Sequence, residues 1–91
     1  MKTFRWVKIE DMKSNQVFTL FDITDYNEKG TILAVGSVVP IGSEFRPIVT
    51  YPDILTTEET MSLDDAKEAV EKKLFDDGII QDGDMREDST K

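Results

Sequence analysis

The chain has no cysteine and no histidine among its 91 residues. The first absence excludes disulfides, thiolate nucleophiles and cysteine-ligated zinc. The second removes the one side chain whose unperturbed pKa lies between about pH 5 and 8, and with it Ser-His-Asp and Cys-His mechanisms and imidazole-ligated metals. Any remaining acid–base chemistry would fall to carboxylates, lysines or tyrosines shifted far from their ordinary values, which takes a deep dry cleft. A chain this short buries only somewhat more than ~60% of its unfolded surface, a poor basis for such a cleft. Neither GxGxxG nor GxxxxGK[ST] occurs, so phosphate cradling has no support. Asp82, Asp84, Glu87 and Asp88 offer hard oxygen atoms, but not in the order of a calcium-binding loop. No enzymatic activity, cofactor or metal is therefore expected. No apolar run approaches the ~18 residues of a membrane helix, and the polar first residues lack the apolar centre of a signal peptide. The expected compartment is the cytoplasm, with no membrane partner.

What the chain has in excess is acid, and it is unevenly placed. Residues 1 to 52 hold six acids and six bases, whereas residues 53 to 91 hold thirteen acids against five bases. The whole formal net charge of −8 thus sits in the last 39 residues. Such polarity repels nucleic acid and attracts a basic protein partner.

Aromatic and β-branched residues mark strands over 3–9, 16–24, 31–39 and 45–51. Asp25, Asn27 and Gly30 supply turn chemistry between the second and third, with Gly30 suited to a left-handed position, so an antiparallel hairpin is expected there. Pro40 and Gly42 are expected to end the third strand. Pro47, which has no N–H to give, pushes the fourth towards a sheet edge. Residues 53–61 fit an extended segment or a turn. A helix is expected over about 63–77. Ser62 caps it, Asp65 stands at the capping-box spacing, and Leu63, Ala66, Val70 and Leu74 recur as one apolar stripe. Gly78 is a left-handed stop, with Ile79 folding back on Leu74. The expected fold is α+β, a three- to four-stranded antiparallel meander with one C-terminal helix packed on it. Residues 1–80 form one domain in this reading, and 81–91 an acidic, flexible tail.

Alternation along the central strands leaves both sheet faces apolar, and one narrow helix stripe covers only one of them. Phe18, Leu20, Leu33 and Val35 are the expected apolar interface if the second face is left open. Sheet coiling with cover from 53–61, dimerisation and partner binding are the alternatives. Trp6, the only tryptophan, fits a core position better than an interface anchor.

The leading functional candidate is the acidic side of the helix: Asp64, Asp65, Glu68 and Glu71, followed by Asp76 and Asp77. The last two oppose the helix dipole, at a cost of ~0.3–1 kcal/mol each at low salt, and a local rule broken without visible compensation commonly marks function. Glu68 with Lys72 is in the favourable i, i+4 order. A solvated face that serves solubility is the bland reading of the same residues. Three strands followed by a helix resemble, in order of elements, the amino-terminal DNA-binding domain of phage integrases and the AP2 domain. Those readers need a basic sheet, and Arg5, Lys8 and Arg46 are too few for the phosphate contacts that dominate affinity. In size, acidity and the lack of a catalytic set, the chain is similar to small phage-encoded inhibitors of the anti-CRISPR and anti-restriction class. That similarity implies a nucleic-acid mimic that occupies a basic surface of its target. The alternative is a structural or assembly protein that homodimerises through an apolar sheet face.

Overall fold

Four consecutive antiparallel strands form where the β-branched and aromatic residues cluster. In the computed structural model, which describes residues 1–90, they are β1 (Thr3–Glu10), β2 (Gln16–Asp22), β3 (Leu33–Ile41) and β4 (Glu44–Val49). Between β2 and β3 the expected turn contains one helical turn, α1 (Tyr26–Lys29), closed by Gly30 at φ +66°. Gly42 at φ +63° takes the first place of the two-residue turn between β3 and β4, where such hairpins need a left-handed residue. Pro40 does not break the strand. It stays in β3 opposite Phe45, close to the turn.

Two further strands widen the sheet. The two-residue β5 (Leu55–Thr56) pairs with Val49 and Ile48, and Met61 exchanges two 2.8 Å backbone hydrogen bonds with Phe45. Pro47 falls between these two attachments, so its missing N–H disturbs neither, and β4 is not the edge. Residues 53–61 therefore run along that edge and do not cover a sheet face. After α2 (Leu63–Asp76), the chain crosses to the far side and adds β6 (Met85–Asp88) parallel to β1. The order is β5-β4-β3-β2-β1-β6, a six-stranded mixed sheet with one main helix. The α+β class holds, but the three- to four-stranded antiparallel count is too small. The expected tail is corrected too: residues 85–88 are a strand, while Lys91 lies outside the described residues.

A bulge decides which side chains meet the helix. Leu20 opposes Gly36 and Phe21 opposes Ala34, so Val35 is an extra residue on β3. Val35 and Val38 are three apart, yet both are fully buried in one core with Phe4, Trp6, Phe18, Leu20 and Val49. A regular strand would send them to opposite faces. The helix closes over this core with Ala66, Val70 and Leu74. Gly36 lets it come close: a Cβ there would stand 2.4 Å from Val70 Cγ1.

Candidate protein-binding surface

The helix that carries the acids is held at both ends by its own sequence. Ser62 Oγ accepts the Asp65 N–H at 3.2 Å, and Asp64 and Asp65 lie in the first turn, where the dipole favours them. At the other end Gly78 turns left-handed at φ +78°, its N–H reaches Phe75 O, and the Ile79 N–H reaches Leu74 O at 2.9 Å. That is the expected Schellman closure, with Ile79 packed on the core.

The structure sorts the six candidate acids into two groups. Asp64, Asp65, Glu68 and Asp76 are exposed, and among the described residues none forms an ion pair. Glu71 belongs to the second group. Its Oε2 accepts the Trp6 indole N–H at 2.8 Å and its Oε1 faces Arg86 Nε at 2.9 Å, so it fixes the buried tryptophan and the last strand. Asp77 also has a partner, Lys73 at 3.2 Å, one turn earlier. The expected Glu68–Lys72 pair is not among the ion pairs of the described residues. The i, i+4 pair of this helix is Lys73–Asp77, and it offsets the dipole conflict at Asp77.

Lys67 is the residue the sequence reading passed over. It sits on the apolar stripe, four after Leu63 and three before Val70, and is only 5% exposed. Its ammonium lies 5.7 Å from the Trp6 ring centre and 5.3 Å from that of Phe18, and it donates to Asp88 Oδ2 at 2.8 Å and to the Thr90 hydroxyl. A lysine inside an apolar stripe asks for an acid, and that acid is in the supposed tail. Partial burial alone would raise the Asp88 carboxyl, but the Lys67 ammonium, the Thr90 hydroxyl and the Thr90 N–H together hold it below the ordinary 3.8. Asp84 is held low mainly by the N–H groups of Lys2 and Gln81, and Glu87 takes Arg5 at 2.7 Å. Of the four acids that offer hard oxygen atoms, Asp84, Glu87 and Asp88 are thus engaged as anchors of β6, and Asp82 is exposed.

A carboxylate whose folded value is depressed stabilises above its unfolded value, and that contribution fades as pH falls through the folded one. The β6 docking is therefore expected to be unchanged between about pH 5 and 8 and to loosen only below about pH 4. Asp88→Asn should loosen it at neutral pH, at a cost of about 1–2 kcal/mol for a charge-assisted contact that is partly solvated. Hydrogen exchange at Ser89, whose N–H binds Trp6 O, reports both changes; equal protection in variant and wild type would show that the contact is idle.

The apolar candidates fall in the wrong place for an interface. Phe18, Leu20 and Val35 are core residues under α2, and only Leu33, 42% exposed, reaches solvent. The reason is register: Leu20 opposes Trp6 and Phe18 opposes Lys8, which puts the β2 side chains on the helix-covered face beside Phe4 and Trp6. The uncovered face is the other one, with Val7, Val17, Phe21, Val39 and Ile48 half-buried around a Thr19–Ser37 hydroxyl contact of 3.1 Å. Asp22 ends β2 two residues before the expected 24, and its carboxylate accepts the Thr24 N–H at 3.0 Å. Among the described residues no helix is long and apolar enough to cross a membrane. No family model, curated protein or solved structure matches this chain, so the candidate surface rests on its own geometry.

Proposed function

We propose that this protein is a non-catalytic binding module that docks the outward side of α2 on a basic protein surface. The observation that supports it is the split among the acids. Those needed by the fold, Glu71, Glu87 and Asp88, each have a basic partner, while Asp64, Asp65, Glu68 and Asp76 face solvent with no basic partner among the described residues. The target surface in this reading is one shaped for phosphates, as for the small phage-encoded inhibitors that the chain is similar to in size and acidity. Exposed complementary charge acts mainly on association rate. Asp64→Asn, Asp65→Asn, Glu68→Gln and Asp76→Asn together are expected to leave the fold intact and to slow capture of the partner from a cell lysate. Wild-type capture should weaken between about 0.1 and 1 M salt, as the screening length falls from ~10 to ~3 Å, and the variant should lose most of that sensitivity. Equal capture by both proteins at both salt concentrations would refute the acidic-face reading.

A second reading, an assembly protein that homodimerises, is supported by the apolar sheet face that α2 leaves uncovered. The first 52 residues carry no net charge, so two copies can meet there with their acids pointing apart. In that case light scattering gives twice the monomer mass, and the four-acid variant still dimerises.

A further inference from the structure

We infer that the partner inserts a bulky apolar side chain, carried on a basic segment, into a groove between α2 and the β4–β5 edge. This rests on the reading of α2 as a docking element and names what anchors the partner there. The groove holds about 230 Å³ and is lined by Pro47, Val49, Leu55, Ala69, Val70 and Lys73. It continues into a second hollow of about 210 Å³ bordered by Tyr51, Ile54, Asp53 and Asp77. Ile54 is 76% and Leu55 50% exposed, so apolar surface stays in water at a place where the chain could have closed over it.

The charge around the groove selects its occupant. Asp65, Ala69, Lys73 and Asp76 follow one another at helical spacing, so Asp65 and Asp76 stand on the side of α2 that borders the groove. Glu58 and Glu59 follow the lining residue Thr57, and Asp53 closes the far end. Of the bases nearby, Lys73 holds Asp77 and Arg46 lies 3.9 Å from the exposed Glu58, while Lys72 has no ion pair among the described residues; the acids outnumber them. An apolar slot with Lys73 held by Asp77 in its wall and an excess of acids around it fits an apolar side chain flanked by lysine or arginine. It does not fit a second copy of this chain, whose net charge is −8. Acidic side chains on a solvent-exposed rim steer a partner but contribute little affinity, and a desolvated apolar anchor supplies what they lack.

The test uses the full chain, nitrogen-15 labelled, titrated with three synthetic peptides: Lys-Lys-Leu-Lys-Lys, five lysines, and Glu-Glu-Leu-Glu-Glu. The leucine–lysine peptide is expected to shift the amides of Leu55, Thr57, Ala69 and Lys73 and to bind at least about tenfold tighter than five lysines, a factor of ten being ~1.4 kcal/mol. The glutamate peptide should not bind. Ala69→Gln, which fills the groove from the helix side, and Leu55→Ser, which removes its outer wall, should each reduce the leucine–lysine peptide to the level of five lysines. If both basic peptides bind alike and neither variant matters, the groove inference is overturned while the acidic-face reading stands. If neither basic peptide binds, both fall. Shifts confined to Val7, Phe21 and Val39 would place the contact on the open sheet face and overturn the groove as well.

Discussion

Leu74→Ala is expected to lower the folding free energy by about 2–5 kcal/mol, the cost of deleting a buried leucine and leaving a cavity. Leu74 is fully buried in the last turn of α2, against the sheet, and Ile79 and Ile80 hydrogen-bond back to its carbonyl oxygen. The side chain therefore ties the end of the helix to the core at the point where the chain turns towards β6. In a domain of this size each kcal/mol moves the melting temperature by ~4–8 °C, so the loss reads clearly in a thermal melt or a denaturant midpoint. A midpoint that barely moves would refute the packing of α2 described above.

Gly36→Ala is expected to destabilise by about 1–3 kcal/mol through overpacking, although the change adds one methyl group. The new Cβ would meet Val70 Cγ1 at 2.4 Å and the Ile48 carbonyl oxygen at 3.3 Å. Val70 is β-branched and stiff in a helix, so it cannot swing clear, and α2 must lift from β3. Val70→Ala should cost stability alone yet recover part of the loss in the double variant, because it removes the clashing atom. Additive losses in this double-mutant cycle would show that the helix does not press on Gly36.

How far the sequence could be read depended on whether a segment is held by its own pattern or by something distant. The helix and its two caps were legible because the apolar stripe, Ser62 and Gly78 are local signals, and all three act as expected. The four long strands were legible from β-branched and aromatic content. Neither β5 nor β6 was. The first has two residues, and the second, Met85–Asp88, has a single apolar side chain and is held by Arg5, Lys67 and Glu71 from elsewhere in the chain. The open face was misassigned because alternation groups residues by face without saying which face the helix covers. Pairing with β1 sets Phe18 and Leu20 beside Trp6 under α2, and the bulge at Val35, which brings Val38 into the same core, leaves no mark in the sequence. The candidate site was legible as a list of acids but not as a division of labour. Trp6 under α2 and Arg86 on β6 remove Glu71 from the free set, and the buried Lys67 gives the tail acid Asp88 a structural role.

The position of β6 also bears on whether this chain sticks to itself. β1 is an eight-residue strand that carries Phe4, Trp6 and Val7, and a bare edge of that kind is a template for another strand. β6 occupies the edge from Thr3 to Trp6 and replaces it with Met85, Arg86, Glu87 and Asp88, three of them charged. Beyond Trp6 the unpaired stretch of β1 includes Lys8 and Glu10. At the opposite side β5 offers two residues, too short a rail for strand addition. Both rims of the sheet are thus blunted, one by charge and one by brevity, which protects a strand-rich chain against edge-to-edge polymerisation.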